Sequence, residues 1–161
     1  MAADLFAVLD GGAVPAAPLV RVELPGPPRG KGRPRFRIVT PRFKPQFVQV
    51  YTPPETVEYE RALAWKAKAA MRGREPFEGP LAVRMFAMMP IAPSWPQREK
   101  DAAVAGIKIP QGKPDIDNIA KAGLDALNGI VWRDDTQIAR ALIVKEYGES
   151  PGVIIEVFAL P

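Results

Sequence analysis

Apolar residues recur with two different periods along this chain, and the order of those periods predicts a mixed fold. Alternation, or a continuous apolar run, predicts five strands, at residues 20–24, 47–51, 81–89, 138–147 and 153–160. Helical spacing predicts two principal helices, at residues 53–72 and 115–127, and a short helix is one interpretation of residues 97–105. Because helices lie between strands without strict alternation, we expect an α/β (mixed α+β) domain with one mixed sheet of about five strands.

The length and composition of the chain limit the folds and the catalytic mechanisms that are possible. The 161 residues suffice for one hydrophobic core, so we expect one domain at residues 19–161 behind a flexible tail at residues 1–18. Cysteine and histidine are absent, which excludes disulfides, thiol nucleophiles, a serine–histidine triad and the common zinc sites. No apolar run approaches the ~20 residues that cross a bilayer, so we expect a cytoplasmic protein without a membrane segment. Catalysis would therefore depend on carboxylates, lysines or a hard metal ion.

Acidic residues gather at the start of the second helix and again after it. Asp115 and Asp117 lie at the helix N-terminus, and Asp134 and Asp135 follow in a short charged segment. Asp117 and Lys121 are four residues apart and share one helix face. Two carboxylates at a helix start, with a third from a later segment, are typical of Mg²⁺ sites. Such ions assist phosphodiester hydrolysis, in which Lys121 could stabilise the developing charge.

Structural explanations compete with this interpretation for each acidic residue taken alone. An Asp at a helix start is a common N-cap, and an Asp-Asp pair before a strand is a common turn. Asp117 with Lys121 could be only an exposed helical ion pair. An EF-hand is excluded because the required Gly and late Glu are missing. The opposite stripe of the helix is predicted to face the core and consists of Ile116, Ile119, Gly123 and Leu127.

Positive charge is concentrated in residues 29–44, which contain seven Lys or Arg residues and no acidic residue. Phe36 and Phe43 are interleaved with them, which suits phosphate contacts and stacking on unpaired bases, although a charge run is more often a solvated face. In the long connection at residues 90–112, Trp95 is interpreted equally well as a DNA contact or as a packing anchor. The residues expected to bind DNA are Lys31, Arg33, Arg35 and Lys113.

Several blocks of the sequence resemble one known family. The run KPDIDNIAK from residue 113, the following LDALNG, and WRDDTQI from residue 132 resemble the signature of the RusA family of Holliday junction resolvases. Upstream, GKGRPRF from residue 30, YTP from residue 51 and the pair Ser94-Trp95 resemble further blocks in the same order. The resemblance therefore extends over roughly residues 20–160.

This resemblance implies an intertwined homodimer that depends on Mg²⁺ and resolves four-way DNA junctions by paired symmetric nicks, in DNA recombination and repair. It also implies that the metal ligands are Asp115, Asp117 and Asp135, and that Lys121 is a fourth catalytic residue. Asp134 would support the neighbouring Asp135 without being a metal ligand itself. A two-fold symmetric dimer matches the approximate two-fold symmetry of such a junction.

Two other functions are compatible with the same residues. The main alternative is a non-catalytic protein that binds branched DNA and whose carboxylates are structural. Its binding would weaken steeply with salt, and it would cleave nothing with any divalent ion. A third possibility is a metal-dependent phosphoesterase of small nucleotides, for which Arg33 and Arg35 would be dispensable.

Overall fold

The structure, a computed structural model, describes residues 17–161. The predicted tail at residues 1–18 lies almost entirely outside the described residues. Within them the chain forms six strands and three α-helices. In chain order these are β1 (Val20–Pro25), β2 (Arg35–Val39), β3 (Phe47–Tyr51), α1 (Pro54–Met71), β4 (Leu81–Pro90), α2 (Gln97–Val104), α3 (Ile116–Leu127), β5 (Ile138–Gly148) and β6 (Gly152–Ala159).

Four of the strands form one mixed sheet in the order β1-β6-β4-β5. β6 is antiparallel to β1 and β4, whereas β4 and β5 run parallel. The central position of β4 explains its nearly continuous apolar sequence, since Val83, Met85 and Ala87 are fully buried on one face. The predicted α+β class is therefore confirmed.

The expectation of about five strands in one sheet is wrong in one respect. β3 pairs with β2, and the two form a separate antiparallel hairpin. β2 lies inside the basic segment, where Arg35 and Arg37 alternate with Phe36 and Ile38 in the pattern of a strand that the prediction left out. One face of this hairpin is entirely apolar and exposed, and its members are Phe36, Ile38, Val48 and Val50.

Helices α1 and α3 pack against each other, and α3 lies directly on the sheet. An ideal Cβ on Gly123 would lie 2.4 Å from Cε of Met85 and 3.2 Å from Cδ1 of Ile155, so a side chain at this position would force the buried Met85 to shift. The predicted core stripe of α3 is confirmed for Ile119, Gly123 and Leu127. It is wrong for Ile116, which is 46% exposed because the first turn of α3 extends past the packed part of the helix.

Among residues 17–161, no helix combines the length and apolar character that a membrane-crossing segment requires.

Replacing Gly123 by Val should destabilise the fold by about 1–3 kcal/mol, because the added atoms would overlap Met85 and Ile155. Urea denaturation followed by tryptophan fluorescence measures this loss. Gly112→Ala is the control, since a Cβ at Gly112 meets nothing within 4 Å; its effect should stay within about 0.5 kcal/mol. Equal unfolding free energies for Gly123→Val and the wild type would contradict the close packing.

Candidate active site

An open cleft of about 630 Å³ is lined by a basic loop, residues 29–33, and by the segment that begins α3, residues 113–118. The basic loop contributes Arg29 and Arg33, and the segment before α3 contributes Lys113 and Asp115. All four of these side chains are exposed. The cleft therefore combines groups that bind phosphate with a carboxylate that suits a hard metal ion.

The backbone of the basic loop lies unusually close to the two helices behind it. The N–H of Lys31 donates to the carbonyl oxygen of Asn118 at 2.8 Å, and the N–H of Gly32 donates to Oγ1 of Thr56 at 3.2 Å. A Cβ on Gly30 would lie 2.9 Å from Cβ of Asn118, and one on Gly32 would lie 2.6 Å from Oγ1 of Thr56. The Gly-Lys-Gly sequence thus allows an approach that side chains would block.

The Lys31 ammonium is engaged by two carboxylates. It lies 2.7 Å from Glu60 of α1 and 2.7 Å from Asp125 of α3. Partial burial alone would lower the pKa of Lys31, but the hydrogen bonds and charges of Asp125 and Glu60 outweigh it and raise that pKa. A lysine whose pKa is raised stabilises the fold fully at neutral pH, and this contribution is lost only as the pH rises through the raised value. The expected DNA contact of Lys31 stays a prediction.

Asp115 and Asp117 both lie exposed at the N-terminal end of α3. Asp115 occupies the N-cap position, yet its side chain makes no capping hydrogen bond. Helix capping therefore does not explain its carboxylate. The positive end of the helix dipole favours negative charge at both positions. Lys121 is also exposed, and one turn separates it from Asp117.

Asp134 and Asp135 have different surroundings. Asp134 caps a short 3₁₀ turn (Asp135–Gln137): its carboxylate accepts from the N–H of Thr136 at 2.9 Å, and Gln137 completes a capping box. The backbone N–H of Thr136 is also the main reason why the pKa of Asp134 is lowered. Asp135 is exposed to solvent beside this turn. Asp134 thus has a local structural role, which favours Asp135 as the candidate ligand.

Lys145 supports the aspartate pair from β5, and sequence reasoning missed it. Its Nζ donates to the carbonyl oxygens of Gly112 at 2.7 Å and Pro114 at 3.1 Å, just before α3 begins. Lys145 lies on the same strand face as Ile143 and Tyr147. A lysine at an apolar position of an alternating strand was the signal available in the sequence.

Two different parts of β5 lie next to the two groups of acidic residues, the pair Asp115 and Asp117 and the single Asp135. Lys145 holds the segment that leads to Asp115, whereas Asp135 precedes the first residue of the strand, Ile138. The seven residue steps from Ile138 to Lys145 span about 23 Å. Among residues 17–161, no group of three carboxylates could hold a metal ion. A single chain therefore does not bring Asp135 to Asp115 and Asp117, and the predicted trio stays a prediction that concerns the assembled protein.

Trp95 serves as a packing anchor. Its ring meets Tyr147 edge to face, with centroids 5.1 Å apart, and Nζ of Lys108 lies 3.7 Å from the centroid of its ring. Arg35, by contrast, begins β2 with an exposed side chain.

Comparisons with known proteins identify the family of the chain. The sequence profile described as endodeoxyribonuclease RusA matches residues 25–158, a range that includes the basic loop, α3 and Asp135. A similar protein, described as uncharacterized protein YqaN of Bacillus subtilis (strain 168), is 31% identical over 130 residues, which cover 80% of this chain and 87% of that protein. The chain therefore belongs to the RusA family of endodeoxyribonucleases.

Proposed function

We propose that this chain is a Mg²⁺-dependent, structure-selective endodeoxyribonuclease that resolves Holliday junctions by paired nicks, in DNA recombination and repair. The proposal is supported above all by one arrangement, in which Asp115 and the exposed arginines of the basic loop line the same cleft. Membership of the RusA family supports the same activity. The arginines of the cleft can attract a DNA phosphate to a position near the carboxylate of Asp115.

The positive side chains of the cleft are assigned to the DNA backbone. Arg29, Arg33 and Lys113 line it, and Arg35 continues the charge along the hairpin. A guanidinium can hold two phosphate oxygens at once, which orients the backbone as well as attracting it. Contacts of this kind fix the position of the DNA without reading its sequence.

The carboxylates at the start of α3 fit a hard divalent ion. Asp115 and Asp117 offer exposed oxygen ligands, and Mg²⁺ prefers one or two carboxylates together with water and phosphate oxygens. We assign Asp115, Asp117 and Asp135 as its ligands. Such an ion, when bound, neutralises charge on the phosphate and makes water a better nucleophile. Lys121, one helical turn from Asp117, is assigned to stabilise negative charge on the phosphoryl oxygens.

The separation of the acidic residues implies that the site contains two chains. About 23 Å of strand lies between Ile138 and Lys145 in one chain, so we propose that the partner subunit's Asp135 completes the ligand set of Asp115 and Asp117. The exposed apolar face of the β2–β3 hairpin supports an interface, because an isolated two-stranded hairpin is only marginally stable in water. A two-fold dimer would then hold two composite sites, one for each nick.

Asp117→Asn and Asp135→Asn should each slow Mg²⁺-dependent nicking of a synthetic four-way junction by about 100-fold or more, because each removes a ligand charge at the site. Glu58→Gln, which removes an exposed carboxylate from α1, should nick like the wild type. Denaturing gels of end-labelled junctions measure the rates. Wild-type rates in both Asp variants would refute the catalytic assignment. Junction binding by the wild type without nicking, in every divalent ion tried, would favour the non-catalytic alternative.

Mixing the two inactive variants tests the two-chain site directly. In a heterodimer of Asp117→Asn with Asp135→Asn, one composite site carries both substitutions and the other carries neither. Random pairing should therefore restore single-strand nicking to roughly a quarter of the wild-type level, without paired resolution. If all ligands came from one chain, both sites of the heterodimer would be damaged and the mixture would stay inactive.

Lys145→Met should reduce nicking by roughly tenfold to 100-fold, because the segment before Asp115 loses its anchor and small displacements of catalytic groups are costly. Amide hydrogen exchange at residues 112–117 should accelerate at the same time. Lys68→Met, at an exposed position near the end of α1, is the matched control and should change neither measurement. Unchanged exchange in Lys145→Met would contradict the anchoring role.

A further inference from the structure

Lys31 lies in the middle of the basic loop and lines the cleft, but its ammonium is paired with carboxylates of the two helices. Glu60 and Asp125 each approach its Nζ to 2.7 Å. The Lys31 side chain is 26% exposed, against 22% for Glu60 and 35% for Asp125. One ammonium thus faces two carboxylates, and the cluster carries a net negative charge.

A DNA phosphate would gain little at such a cluster. The two carboxylates nearest to Lys31 repel a phosphate, and both already form ion pairs with its ammonium. Arg29 and Arg33, two residues to either side, line the cleft with exposed side chains. All three cations line the cleft, but only Lys31 has its charge paired with two carboxylates of the helices.

The ion pairs join three separate parts of the chain. Lys31 belongs to the basic loop, Glu60 to α1 and Asp125 to α3, and the N–H of Lys31 also donates to the carbonyl oxygen of Asn118 on α3. The tight packing of Gly30 against Asn118 adds a steric restraint to these polar contacts. Together they hold the basic loop at a fixed distance from the segment that presents Asp115.

We propose that Lys31, Glu60 and Asp125 form a positioning unit that fixes the basic loop across the cleft from Asp115, and that Lys31 acts through Arg29 and Arg33 without contacting DNA. This inference rests on the proposed DNA-binding function of the cleft. It also gives a role to Asp125, which belongs to the aspartate-rich motif but lies more than two helical turns from Asp117.

The direction in which Asp125→Asn changes the Kd for a four-way junction shows whether Lys31 positions the loop or contacts DNA directly. If Lys31 touched phosphate, removing a carboxylate beside it would free its charge and tighten junction binding. Positioning predicts the opposite: Lys31→Met and Asp125→Asn should each raise the Kd for a four-way junction roughly tenfold, and the double variant should be no weaker than Lys31→Met. Lys31→Arg, which keeps the charge, should retain most of the affinity.

Binding is measured by fluorescence anisotropy without divalent ions, with Kd corrected for the active fraction by titration. Glu58→Gln removes the same charge from α1 outside the cluster and should leave Kd unchanged. Arg33→Met is the reference for a true phosphate contact and should reduce the slope of log Kobs against log salt by about 0.9. Hydrogen exchange at residues 29–33 should accelerate in Lys31→Met and Asp125→Asn, while the exchange of β4 and β6 stays unchanged.

Tighter junction binding by Asp125→Asn, additive effects in the double variant, or unchanged exchange in the basic loop would each overturn the positioning role. A loss of stability alone would reduce the active fraction and leave the corrected Kd at the wild-type value, which would overturn it as well. If only the proposed nuclease activity is wrong, the wild type would bind the junction and never nick it. Lys31→Met and Asp125→Asn would still raise Kd and accelerate exchange in the basic loop.

Discussion

The contact of α3 with the sheet at Gly123 determines where the candidate carboxylates at the start of this helix lie. Because Gly123 has no side chain, the helix approaches Met85 of β4 and Ile155 of β6 closely, and a shift of the helix would disturb the core. The first turn of α3 then extends past the core, and that turn carries Asp115 and Asp117. The same geometry leaves the opposite end of the helix near the buried Trp132, from which the chain continues to Asp135.

Charge in the cleft is organised in two layers. Exposed cations and carboxylates line the cleft, whereas the ammonium groups of Lys31 and Lys145 are engaged by acceptors of the protein next to the segments that present those groups. Both supporting lysines bind acceptors within the protein, and both tie together segments that are far apart in sequence. Electrostatic preorganisation of this kind limits the reorganisation that a charged substrate would otherwise require.

Much of the architecture could be predicted from the sequence, because periodicity is a local property. The bounds of α1, β4 and α3 agree with the observed elements to within about two residues, and the aspartate pair falls at the helix start as expected. Contacts across long sequence separations could not be predicted. Lys31 and Asp125 are 94 residues apart, and nothing local distinguishes this lysine from its exposed neighbours. The exposure of Ile116 was missed for a related reason: helical spacing gives the direction of a side chain, not the extent of the core in front of it.

The length of β5 has a consequence for how such a nuclease would be controlled. On the proposed two-chain site, the strand acts as a spacer that keeps each chain's own acidic groups apart, so a newly made polypeptide cannot assemble a cutting centre by folding alone. Activity would then require association with a second copy, and the fraction of active protein would follow the dimerisation equilibrium. A strand that looks purely architectural would thus make the cutting activity depend on the concentration of the protein.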